Sequence, residues 1–159
     1  MAERKIGCVN VIEYPLGSNS FVLVEETKKN KKGTYNLPGG RLNYKDGYEE
    51  TLFEAAKREA QEETGLEVEL IGFLGLFDYR QDGQLQIAFV ANAVSGQLTT
   101  SEEHPTVESF PLEIIKNVLE PQGILRSPRV LQAISQCAQG NILPVDSVRI
   151  NESDNLFIH

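Results

Sequence analysis

The stretch from about Glu49 to Thr64 constrains the chain most, because it holds no glycine or proline and is rich in Glu, Ala, Lys, Arg and Gln. Those are strong helix formers, and Gly65 follows where a helix C-cap residue belongs. Asp46 and Glu49 have the spacing of a capping box, which predicts a helix start near Gly47. On either side lie runs of another kind. Residues 5–14 and 20–26 are β-rich and separated by Pro15, Gly17, Ser18 and Asn19, as in a hairpin. A short strand is expected at 35–37, before the sharp break Pro38-Gly39-Gly40. Further strands are expected at 67–79 and 84–94, with Arg80-Gln81-Asp82-Gly83 as the turn between them. Residues 95–106 read as loop and 112–119 as a short helix. A longer helix is expected over 127–138, with Ser127 as N-cap, Pro128 in its first turn and Gly140 as terminator. Strands and helices in this order predict an α/β fold, an α/β/α sandwich around one sheet.

At 159 residues, with 40% hydrophobic and 24% charged, the chain is expected to be a single domain over 1–159. No apolar run approaches the ~18–20 residues that cross a bilayer. The charged start Met-Ala-Glu-Arg-Lys-Ile does not read as a secretory leader. Cys8 and Cys137 stand in no paired or metal-type spacing and read as free thiols. A cytoplasmic protein without membrane contact is the expectation. A net charge of −8 argues against duplex nucleic acid as partner, which needs a basic footprint. The basic run 28–33 is read as a solvated turn, with a phosphate-attracting patch as the alternative. A small phosphorylated substrate remains compatible, because a bound divalent cation reverses the local field.

On a helical wheel Leu52, Phe53, Ala56 and Ala60 form a core-facing stripe. Glu54, Lys57, Arg58 and Gln61 fall on the far side, facing solvent or other polar groups. Glu59, Glu62 and Glu63 line one border of the stripe, and their spacing brings three carboxylates together. Their mutual repulsion calls for Arg58, a hard divalent cation, or both. The helix alone leaves open a second reading, in which the glutamates only solvate one edge. The backbone of Pro38-Gly39-Gly40, shortly before it, offers groups that ligate a cation or approach a phosphate closely.

These residues together resemble a known signature. Gly39-Gly40, Glu50 and the run Arg58-Glu59-Ala60-Gln61-Glu62-Glu63-Thr64-Gly65-Leu66 look like the Nudix box, G-x5-E-x7-R-E-U-x-E-E-x-G-U with U aliphatic. From Glu50 to Leu66 every specified position matches. At the front nine residues, not five, separate Gly40 from Glu50, so Tyr44 stands where a glycine is expected. A longer loop that retains Gly39-Gly40 as the family glycines is the simplest account.

The resemblance implies a Nudix-like α/β/α sandwich with a mixed sheet. It implies hydrolysis of a diphosphate linkage, in a nucleoside-diphosphate-type or other small pyrophosphate substrate, with Mg²⁺ or alternatively Mn²⁺. Glu59, Glu62, Glu63 and the Gly40 carbonyl would hold metal. Glu62 or Glu59 would be the base, Arg58 would orient a helix carboxylate, and Glu50 would brace the loop–helix junction. Many relatives recruit a further acidic residue from a later loop. Here Glu103 is the first choice and Glu102 the next, with Glu108 in the same loop and a solvated acidic loop as the other reading. His104 is a further candidate base, although beside Pro105 it reads more readily as surface. Phe77 and Tyr79 are candidates for stacking on a base, and Phe89 for the core; Ser109 stands where relatives often carry an aromatic. Leu125-Arg126-Ser127-Pro128-Arg129-Val130 resembles a bacterial subgroup acting on nucleoside tri- and diphosphates and a thiamine-precursor pyrophosphate. A noncatalytic nucleotide-sensing module on the same fold is the alternative. Residues 145–159 are read as a strand and tail or a dimer contact, so a homodimer stays open.

Overall fold

The computed structural model describes residues 3–150. Ten strands occur among them: β1 Lys5–Glu13, β2 Ser20–Glu25, β3 Tyr35–Asn36, β4 Gly39–Arg41, β5 Tyr44–Lys45, β6 Tyr48–Glu49, β7 Leu66–Tyr79, β8 Gln84–Gly96, β9 Val107–Pro111 and β10 Leu143–Pro144. The helices are α1 Leu52–Thr64, α2 Leu112–Ile114 running into a π-helical turn Ile115–Leu119, and α3 Pro128–Ala138.

The main sheet runs β10-β7-β8-β1-β2-β3. It is mixed: β1 lies parallel to β8 along its whole length, whereas β7 and β8 are antiparallel. The other edge of β1 is forked. Gly7, Cys8 and Val9 pair with β4, while Glu13 pairs with β2. This fork brings Gly39 and Gly40 into the sheet beside α1.

The period-two alternation of strands decides what lies on each face. Val9, Val11, Phe21, Leu23, Ala88 and Val90 pack with Ile115, Val130, Ala133 and Ile134 of the later helices. The intervening residues turn to the opposite face, where Ile12, Val22 and Ala91 pack on Ala60, and Cys8 and Phe89 on Ala55 and Ala56. Two helical layers with a mixed sheet between them are therefore present, as the resemblance implied.

Helix α1 starts later than its composition predicts, and its deepest residues differ. Tyr44–Lys45 and Tyr48–Glu49 form a small hairpin, with Asp46 and Gly47 at positive φ in the turn. Asp46 therefore closes a hairpin instead of capping a helix, and the longer front loop is accounted for by this hairpin. The capping box belongs to Thr51 and Glu54, whose side chains each bond the other's backbone N–H. Ala55, Ala56, Ala60 and Thr64 are the buried residues of α1, while Leu52 and Phe53 are half-buried. Small residues on this stripe let α1 lie close on the sheet. Thr51→Ala is expected to lower stability by about 1 kcal/mol through loss of the cap, read by urea unfolding.

Three further differences occur. β8 extends to Gly96 and β9 occupies 107–111, pairing with β2 from Ser20 to Val24. Ser127 precedes α3 in extended conformation but makes no side-chain capping bond; Pro128 alone supplies the start signal. Leu143–Pro144 pairs with β7 and Val145–Ser147 is a 3-10 turn, so the strand expected after 145 falls earlier; 151–159 lie outside the described residues. Cys8 and Cys137 are both free thiols.

Candidate active site

Helix α1 and strand β4 present one polar surface organised by Arg58. Its guanidinium grips Glu50 with two bonds, Nε to Oε1 at 2.5 Å and Nη2 to Oε2 at 3.0 Å. Nη1 donates to Glu59 Oε1 and to Glu62 Oε2, each at 2.9 Å. Nη2 also donates to the Arg41 carbonyl at 3.1 Å. One cation thus holds three carboxylates and the end of β4, using the forked donor geometry that lysine lacks. The wheel places Arg58 on the far side of the helix, yet its length carries the guanidinium back to the carboxylate border.

Glu50 closes the base of the hairpin as well, accepting from the Asn43 N–H at 2.8 Å while its own N–H donates to the Asn43 carbonyl. The bonds from Arg58 hold its carboxyl below the usual range. Glu59 behaves oppositely. Burial raises its pKa, Arg58 opposes the rise, and the neighbouring Glu63 and Glu62 charges add to it. Glu59 and Glu63 are covered, with side chains 14% and 15% exposed, whereas Glu62 is 59% exposed.

The glycines are required by close approach. A Cβ at Gly40 would overlap the Glu59 carboxylate, and one at Gly39 would overlap the Cys8 carbonyl. The Gly39 N–H donates to Glu63 Oε2 at 2.9 Å. Beneath them Asn10 is fully buried, and its Nδ2 donates to the Ala56 carbonyl at 3.0 Å and more distantly to that of Pro38. Asn10 therefore ties the glycine strand and the acidic helix to the same strand of the sheet. Its Oδ1 is buried without a hydrogen-bond partner.

His104 joins this surface, although the sequence reading placed it on the exterior. It is 8% exposed, with Nε2 3.2 Å from Glu63 Oε1 and Nδ1 2.9 Å from the Glu25 carbonyl. Both partners are acceptors, an arrangement that favours the doubly protonated, cationic imidazole. The hydrogen bond to Glu63 is the main cause of a pKa raised from 6.5 to about 9. Glu103 is exposed, with its backbone carbonyl accepting from Thr27 Oγ1 at 2.9 Å; Glu102 and Glu108 are exposed too. The Glu63–His104 contact joins residues far apart in the chain, and no local pattern announces it. Only an isolated histidine in an otherwise acidic loop hinted at it.

The sign of the His104 effect is fixed by the raised pKa. The pair stabilises the metal-free protein fully below about 6.5, and the contribution is lost as pH rises through about 9. In EDTA the wild type is expected to lose on the order of 2 kcal/mol across that window relative to His104→Gln, measured by urea unfolding at a series of pH values. Equal slopes for the two proteins would refute the charged pair.

The donor set suits a hard divalent cation, with glutamate oxygens and the Gly40 backbone collected where no side chain fits between β4 and Glu59. Among the described residues no three acidic, histidine or cysteine side chains converge as a ready-made cation site. Each carboxylate is instead turned to a protein partner: Glu59 and Glu62 to Arg58, and Glu63 to Gly39 and His104. A cation entering here would exchange with these charge-assisted bonds.

On the other face of the sheet, next to Leu37, a cleft of about 530 Å³ opens between β7, β8 and the start of α3. Phe77, Tyr79, Arg126 and Arg129 are among its walls. No helix among the described residues is long and apolar enough to cross a membrane.

Comparison with known proteins places the sequence and the fold. An 8-oxo-dGDP phosphatase of Mus musculus is 35% identical over 101 residues, 63% of this chain and 30% of the relative. An ADP-ribose pyrophosphatase of Methanocaldococcus jannaschii is 31% identical over 98 residues, 59% of this chain and 56% of the relative. The chain thus matches about a third to just over half of the length of these curated relatives. Among solved structures, a NUDIX hydrolase from Nitrosomonas europaea superposes with a TM-score of 0.77 at 23% identity, covering 95% of this chain and 99% of that one. The NUDIX domain of Shewanella oneidensis NrtR, complexed with ADP ribose, gives 0.67 at 17% identity, covering 89% and 90%. The family model of the NUDIX domain matches residues 5–133, and the chain belongs to that family.

Proposed function

We propose that this protein is a divalent-metal-dependent hydrolase that cuts a diphosphate linkage in a nucleoside-diphosphate-type substrate. The observation that carries the reading is the gathering of Glu50, Glu59 and Glu62 on one guanidinium, with Glu63 bonded to Gly39 beside them. Glu59, Glu62, Glu63 and the Gly40 carbonyl are the groups that would hold Mg²⁺ or Mn²⁺. Such a cation neutralises phosphate charge and makes a nearby water more acidic. The chain's own residues do the rest. Glu62, the open member of the set, accepts the proton of the attacking water. Water adds to phosphorus as the P–O–P bond breaks, leaving two phosphate products. Arg58 and Glu50 fix the carboxylates before the reaction, so little reorganisation is needed. The cleft on the other face of the sheet is the place for the remainder of the substrate, because Asn36 and Leu37 in its wall lead directly into the Gly39–Gly40 strand and its volume is within the usual range for small-molecule sites. The names of the relatives, a nucleoside diphosphate phosphatase and an ADP-ribose pyrophosphatase, support this substrate class.

A panel of nucleoside tri- and diphosphates, dinucleotides, ADP-ribose and other nucleotide sugars, and thiamine-precursor pyrophosphate tests the proposal, with products resolved by chromatography. Cleavage at a P–O–P bond is expected with Mg²⁺ or Mn²⁺ and none with EDTA. Nucleotide binding without turnover across the panel and both metals would favour a noncatalytic module instead.

A further inference from the structure

The segment Leu125–Arg129 holds two cations that the reaction just described does not use. Its backbone is pinned to β3, where the Arg126 N–H donates to the Tyr35 carbonyl at 2.7 Å and Leu125 bridges Tyr35. The backbone of Arg126 is thereby held beside β3, and Arg126 lines the cleft together with Asn36 and Leu37, which lead into the glycine strand. Its guanidinium makes no hydrogen bond or ion pair with any described residue, and burial works against its charge. Glu26, the carboxylate that acts on it, is itself engaged by the Asn36 amide at 3.0 Å. In the wall of the same cleft, the Arg129 guanidinium lies 3.3 Å from the centre of the Tyr79 ring, making a flat, positively charged surface.

In the open cleft water meets the Arg126 guanidinium, so a ligand with matching acceptors can replace that water without breaking any contact within the protein. The fork of the guanidinium matches two adjacent acceptor atoms. We propose that Arg126 determines specificity in this cleft, reading a pair of adjacent hydrogen-bond acceptors on the part of the substrate beyond the cleaved diphosphate. The flat Tyr79–Arg129 wall fits a planar ring better than a tetrahedral group, so the carbonyl edge of a guanine-type base is the preferred source. Arginine meets the O6/N7 pair of guanine in two bonds, whereas adenine presents a donor at the same place. The inference rests on the proposed function in one respect, that the cleft holds the remainder of a diphosphate substrate.

Guanosine, adenosine, ribose 5-phosphate and inorganic pyrophosphate with Mg²⁺ are titrated into the full chain by NMR. Wild type, Arg126→Gln and Arg126→Lys are compared. Guanosine is expected to bind wild type about tenfold tighter than adenosine and to lose that advantage in both variants, since lysine keeps the charge but not the fork. Pyrophosphate affinity and the thermal midpoint are expected to stay unchanged. If ribose 5-phosphate carries the Arg126 dependence instead, the acceptors are phosphate oxygens and the role of Arg126 stands. Unaltered affinity of both probes in Arg126→Gln, or no binding of either by wild type, overturns the inference. Guanosine binding that depends on Arg126 in a protein without turnover overturns the hydrolase reading and leaves this one intact.

Discussion

Glu62→Gln is expected to reduce turnover by about 10²–10⁴-fold, the range associated with loss of a positioned base. The amide keeps the size of the side chain and still accepts one bond from Arg58, so the fold should be undisturbed. It no longer takes a proton. Because Glu62 is the exposed member of the set, Mn²⁺ affinity should fall much less than kcat. Glu59→Gln separates the roles. Glu59 is covered and touches the space that Gly40 leaves open, so its loss should act mainly on metal affinity. A rise in the metal concentration needed for half-maximal rate, with kcat partly restored at saturating metal, is the expected signature. If both variants turned over like wild type, neither role could stand.

Arg58→Met is expected to have the larger effect on stability. The guanidinium meets Glu50, Glu59 and Glu62, and two of these carboxylates are mostly covered. Removing the shared cation leaves them uncompensated, at a cost on the order of 2 kcal/mol, below the ~3–5 kcal/mol of fully buried pairs because water reaches all three groups. Glu62 is open to water and contributes little to that figure. Unfolding in EDTA measures the loss. Millimolar Mg²⁺ should restore part of it, because a ligand that binds only the folded state stabilises by mass action. Lys57→Met, one residue away and exposed, should change stability by less than ~0.5 kcal/mol. A loss for Arg58→Met no greater than that of Lys57→Met would remove Arg58 from the centre of the site.

The helix and its carboxylate border were legible because periodicity and residue spacing are local properties. The small β5–β6 hairpin was not, since Asp46 has equal claims as a hairpin turn residue and a helix N-cap; pairing with Tyr48–Glu49 decided it. β9 escaped for a related reason. Val107–Pro111 is too short and polar to alternate visibly, and it exists as a strand because β2 has an open edge. His104 is the more instructive case. Its chemistry depends on β2, whose Glu25 carbonyl takes one ring proton, and on α1, whose Glu63 takes the other. Neither neighbour is near it in the chain. Glu103, an acidic residue in the same exposed loop, is what residue type alone selects, and it remains a proposed supplementary ligand or base. Glu50 and Arg58 were both named from the signature, one to brace the loop–helix junction and one to orient a helix carboxylate; the pair they form was not, because it depends on how the hairpin turns into α1.

The central claim is that the α1 carboxylates and the Gly40 strand hold the divalent cation that turnover needs. Electron paramagnetic resonance of Mn²⁺ titrated into the full chain tests it most directly, with wild type beside a Glu59→Gln, Glu63→Gln double variant. The account predicts saturable binding by wild type that Mg²⁺ displaces, and weakening of at least tenfold in the double variant, whose metal-free fold survives. Equal Mn²⁺ binding by the two proteins, or none by wild type at millimolar metal, would contradict it.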